Sequence, residues 1–184
     1  MSEKNRFRLI VRAIAAWLCV VSAAAFADAP AAVPWPPGWD VQAGPAPTTR
    51  AGRTLPGSNE VAVKRGASGA PEAALALMRL VRIDRGAARL DDEFGTMLHV
   101  IVDGYRQRGW TAQCAAAVQA PLGGRPGLAT TCDMRREGAT AIRQAIVATM
   151  TETTVYELSF TAPVDRFDAY RPAFDTMRAR LTVQ

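Results

Sequence analysis

Apolar residues at helical spacing are clearest between Asp91 and Arg108, where Leu90, Phe94, Met97, Leu98, Ile101 and Tyr105 form one stripe. That spacing predicts an amphipathic helix. Its ends agree: Asp91, Asp92 and Glu93 sit where the helix dipole is positive, and Arg106 and Arg108 where it is negative. Gly109 is placed to take a left-handed cap. A second stripe of Phe167, Tyr170, Phe174, Met177 and Leu181 predicts a terminal helix packed on a sheet. Pro172 is expected to divide it into a short first turn and a longer piece.

Two-residue alternation predicts the strands. Trp39 to Gln42 reads as a short strand, Thr49 to Leu55 as another, and Glu60 to Arg65 as a third in which Val61 and Val63 alternate with polar neighbours. From Trp110 to Val118, alternation places Trp110, Ala112, Cys114, Ala116 and Val118 on one inward face. From Leu128 to Met134 it does the same for Leu128, Thr130, Cys132 and Met134. Pro121 to Gly127 supplies a dense turn between these two runs. Ala141 to Thr149 and Thr154 to Thr161 complete the set. In the last, Tyr156, Leu158 and Phe160 alternate with Val155, Glu157 and Ser159, which predicts one buried and one largely wet face.

Glu72 to Ile83 admits two readings. Its Ala, Leu, Met and Arg content favours a helix, with Pro71 in the first turn. Leu75, Leu77 and Val81 also fit a two-residue period, and apolar residues on both faces suit a buried central strand.

The amino-terminal pattern is of another kind. Lys4, Arg6, Arg8 and Arg12 precede an apolar run from Ala13 to Ala27 that ends Ala25-Phe26-Ala27. A basic head, an apolar middle and an A-x-A exit are the parts of a secretory signal peptide. Residues 1–27 are therefore expected to be removed after Ala27, leaving a periplasmic chain; an uncleaved anchor is the alternative. Ala16-Trp17-Leu18 before Cys19 lacks the small residue of a lipidation site. Residues 28–34 read as an extended Pro/Ala-rich tether and 35–184 as a single domain, with Trp35 and Trp39 around a proline turn plugging the core edge.

Composition then narrows the function. The chain is 49% apolar and 21% charged, which excludes a wholly disordered or collagen-like protein. It holds 22 basic and 17 acidic residues; residues 1–27 account for four and one, leaving 18 against 16. That near balance gives no basic stripe for nucleic acid. Cys19 departs with the leader, so Cys114 and Cys132 remain, an even count that favours a disulfide in an exported protein. The two runs that carry them, folded back at Gly123, would set them face to face.

A Pro37-Gly38-Trp39 opening, strands, one amphipathic helix, an antiparallel meander and a closing helix resemble the PsbP-like α/β/α sandwich and DcrB-like bacterial envelope proteins. The segment FTAPVDRFDAYRPAFDTMRARL, Phe160 to Leu181, is similar to the closing strand and helix of such domains. The chain also resembles small exported proteins of unknown function with a comparable cysteine pair. The resemblance implies an α+β fold, an antiparallel sheet packed by the central and C-terminal helices. It also implies that Glu72 to Ile83 is a strand, and that the protein is a binding or assembly accessory without an active site.

The remaining chemistry points the same way. His99 and Asp103 share a helix face, yet Ser58, Ser68 and Ser159, the serines beyond the leader, lie in no nucleophile elbow. No C-x-x-C or histidine cluster supplies zinc ligands, and the glycines at 123, 124 and 127 match no phosphate loop. No catalytic, metal or cofactor residues are assigned. The expected role is a non-catalytic module that binds or helps assemble another envelope protein, inhibitor and immunity roles included. The alternative is a small apolar or lipid-like ligand held in an enclosed pocket lined by the Tyr156 or Phe174 stripe.

Overall fold

The computed structural model describes residues 33–49, 53–82 and 88–184. The signal peptide, its cleavage after Ala27 and residues 28–32 of the tether lie outside the described residues. Eight strands form one antiparallel sheet: β1 (Asp40–Ala43), β2 (Gly57–Arg65), β3 (Pro71–Val81), β4 (Thr111–Cys114), β5 (Val118–Gln119), β6 (Leu128–Arg135), β7 (Ile142–Met150) and β8 (Thr154–Pro163). Their order across the sheet is β1-β2-β3-β8-β7-β6-β4, with β5 also paired to β6. The helices among the described residues are α1 (Leu90–Gln107) and α2 (Phe167–Arg180). The chain leaves β3 at mid-sheet, passes through α1 to the far edge, and meanders back until β8 fills the gap between β7 and β3. This is the α+β sandwich that the resemblance implied, and Glu72 to Val81 lies in a strand.

Register assigns the two faces. Leu158 faces Leu77 on one side and Val147 on the other, and these side chains point with Phe160 toward Phe174 and Met177 of α2. The opposite face of β6 and β7 presents Leu128, Cys132, Met134, Ile146 and Ala148 to Phe94 and its stripe on α1. Trp35 and Trp39 pack on the α2-side core, as the plug reading expected. Trp35 Nε1 donates to Glu60 Oε2 at 3.3 Å, and Trp39 meets the Tyr170 ring edge-on at 6.1 Å.

Cys114 is the register partner of Cys132, and the two are joined in a disulfide under α1. Gly109 takes the left-handed conformation, φ +79°, and ends α1 as expected.

Four expectations need correction. Thr49 to Leu55 is no strand in its described part; only a Thr48–Thr54 bridge forms, beside Pro45 and Pro47, which cannot donate to a ladder. The run from Trp110 to Val118 is broken: Cys114 opposes Cys132 but Val118 opposes Ala129, so four steps on one strand match three on the other. That extra residue turns Val118 to the other face, where it is exposed. Pro172 does not divide α2, which is continuous from Phe167 to Arg180. Buried Phe167 and Phe174 hold the helix to the sheet on both sides of the missing N–H. Finally, β8 has no wet face, because Val155, Glu157 and Ser159 are buried along with Tyr156, Leu158 and Phe160.

Candidate functional site

The burial of Glu157 has a geometric origin. α1 packs on β4, β6 and β7, and so covers only half of its side of the sheet. Over the other half, the flank of α1 together with Pro47, Thr48, Thr49 and Leu55 borders a cleft of about 920 Å³. Its floor is Ala76, Met78 and Leu80 of β3 with Val155, Glu157 and Ser159 of β8. Thr96, Met97, Val100 and Ile101 of α1 form one wall, and Pro47, Thr49 and Leu55 the end. Period-2 alternation explains the floor: Ala76, Met78 and Leu80 are the positions between those that β3 gives to the α2 core.

Glu157 is the polar centre of this apolar space. The residue is 6% exposed, and its Oε2 has no hydrogen-bond partner among the described residues. Burial pushes its carboxyl up to about 7, opposed by the Ser159 hydroxyl. Glu93 and His99 also line the cleft, and no Lys or Arg does among the described residues. The His99 side chain is 65% exposed, with Nε2 3.2 Å from Asp103 Oδ2; Arg106 Nη1 holds the other carboxylate oxygen at 3.1 Å. His99 and Asp103 thus meet on one helix face, as their spacing predicts, and His99 stands at the cleft's edge.

The expected ligand stripe is misplaced. Tyr156 and Phe174 belong to the core between sheet and α2 and do not line the cleft, which lies on the opposite sheet face. The Tyr156 hydroxyl donates to the Gln184 carbonyl at 3.0 Å. Cys114 and Cys132 lie outside the cleft lining, as do Asp91 and Asp92. Among the described residues, no group of three or more His, Cys, Asp or Glu side chains is placed to hold a metal. Sequence reasoning missed Glu157. Its one signal was an acidic residue inside the otherwise apolar or hydroxylated run Thr154 to Thr161.

An antiparallel sheet with a helix on each face defines an α+β sandwich. Residues 30–183 match the family described as Domain of unknown function (DUF4946), and the chain belongs to that family. No curated protein matches it. Among solved structures it is similar to a protein of unknown function, PA94, from Pseudomonas aeruginosa, at 13% identity and a TM-score of 0.48 over 79% of this chain and 84% of that one. It is similar to the cyanobacterial PsbP (CyanoP) of Synechocystis sp. PCC 6803, at 16% identity and 0.49 over 78% and 80%. It is also similar to LpqN, involved in cell envelope biogenesis of Mycobacterium tuberculosis, at 15% identity and 0.48 over 80% and 79%. Likenesses of this degree assign no ligand or partner.

Proposed function

We propose that the mature chain is an exported, non-catalytic protein that binds a small apolar or lipid-like molecule in the cleft between β3, β8 and α1. One observation carries this reading: a cleft of about 920 Å³ with a mostly apolar lining and few polar groups is the usual form of a small-molecule site. A protein-docking accessory would instead expose a contiguous apolar patch. Among the described residues the exposed large hydrophobic residues are Val41, Val81, Val100, Val118 and Val164, and of these Val100 lines the cleft itself. Export is supported by the amino-terminal pattern of residues 1–27, and no helix among the described residues is long and apolar enough to cross a membrane.

Native mass spectrometry of the exported protein, followed by titration with decanol, tests this reading. One bound molecule is expected, with binding lost in Ala76→Phe, whose ring fills the cleft floor while thermal melting verifies the fold. A wild-type protein that carries no small molecule and takes up no decanol would overturn it.

A further inference from the structure

We propose that the cleft selects amphiphiles bearing a protonated primary amine, with the apolar tail along β3 and α1 and the ammonium group against Glu157. This rests on the reading of the cleft as a small-molecule site and adds the chemistry of the head group. Three observations converge on it. Glu157 is more than nine-tenths buried, lines the cleft, and has one carboxylate oxygen without a partner. A buried acceptor left unpaired is costly, and an N–H donor supplied by the ligand removes that cost. Among the described residues the charged groups of the lining are Glu157 and Glu93, which attract an incoming cation and repel an incoming anion. Apolar residues fill most of what remains, which favours a tail over a fully polar amine such as a free amino acid.

The surroundings of Glu157 contain no internal substitute for that ligand among the described residues. Across the two ladders it faces Met78 and Ala148. From α1, Glu93 and His99 are the titratable groups in the lining, and His99 is tied to Asp103. Thr48 and Thr49 at the cleft end carry no charge. An ammonium N–H···carboxylate contact is charge-assisted and stronger than the neutral hydrogen bond an alcohol makes. A quaternary ammonium has no N–H to offer the unpartnered oxygen.

Binding should also track the ionisation of Glu157. An alkylamine stays protonated across the relevant range, whereas the Glu157 carboxyl, raised to about 7 by burial, does not stay ionised. Affinity for the amine therefore rises with pH through neutrality.

Isothermal titration of the folded mature chain with decylamine, decanol and decanoate at about pH 8 and about pH 5.5 tests the inference. At the higher pH, decylamine is expected to bind about tenfold or more tightly than decanol, with decanoate weakest. The amine advantage should shrink at the lower pH and vanish in Glu157→Gln, which keeps the shape and removes the charge. Equal binding of decylamine and decanol, or tightest binding of decanoate, would overturn the amine selectivity and leave the cleft reading standing. An advantage that survives in Glu157→Gln would overturn the role of that residue. Failure of all three probes to bind would overturn both readings. Where that variant misfolds, the wild-type comparison of decylamine with decanol at about pH 8 still decides the amine selectivity.

Discussion

Glu157 stands directly opposite Met78 across the β3–β8 ladder, so a carboxylate in mid-sheet has a thioether, not a cation, as its neighbour on that side. Ala148 is its neighbour in β7. The residue is 6% exposed, and the cost of ionising a buried carboxyl raises its proton affinity.

A defined pH dependence follows. The carboxyl titrates near 4.5 when solvated and near 7 in the folded chain. Its stabilising effect is therefore full below about 4.5 and is lost as pH rises through about 7. Urea unfolding at about pH 5 and about pH 8 should show wild type losing on the order of 2 kcal/mol relative to Glu157→Gln. A parallel response of the two proteins would place the carboxyl in solvent.

The disulfide closes a loop of 17 intervening residues and ties the β4 edge to β6. Reduction, or the Cys114→Ala and Cys132→Ala double variant, should lower unfolding free energy by about 2–4 kcal/mol. Denaturant titrations with and without reductant measure it, and mass analysis of exported material should find no free thiol.

Gly123 has φ +59°, and its N–H donates to the Arg178 carbonyl at 2.9 Å. A Cβ there would run into the Leu181 carbonyl oxygen and come within 2.8 Å of Val183. Both the left-handed backbone and the close approach of the α2 end require glycine. Gly123→Ala should destabilise by about 1–3 kcal/mol in urea unfolding, while Gly124→Ala, with open space at its Cβ position, should cost less.

Asp133 and Arg143 face each other across β6 and β7 with paired contacts of 2.6 and 3.0 Å. The guanidinium holds the Asp133 carboxyl below its usual range. Their side chains are about one-third exposed, so Asp133→Asn should cost under about 1 kcal/mol near neutrality. That cost should disappear as pH falls through the lowered titration of Asp133, which unfolding at neutral and strongly acidic pH will show.

Local patterns made much of the fold legible. The α1 stripe from Leu90 to Tyr105 and its charged ends concern one helix and its immediate cap, so neighbouring residues carry the whole signal. The pairing of Cys114 with Cys132 was likewise readable from two runs and the turn between them. Pairing beyond Cys114 was not, because one extra residue before Val118 changes its face without altering the alternation in the text. The cleft was illegible for a stronger reason. Whether Glu157 faces water depends on α1 and on Pro47, Thr48, Thr49 and Leu55, far away in sequence, and an alternating strand looks the same with or without a second layer above it. His99 had a visible partner in Asp103, but its position beside the cleft depends on where the whole helix lies over the sheet.

Carbon-detected NMR titration of the Glu157 carboxyl, with the chain alone and with decylamine, is the most direct measurement. A midpoint near 7 without ligand, moving downward when the amine binds and stabilises the carboxylate, is the expected result. A midpoint in the ordinary carboxylate range, or one near 7 that decylamine leaves unmoved, would contradict a buried, ligand-accepting carboxylate in this cleft.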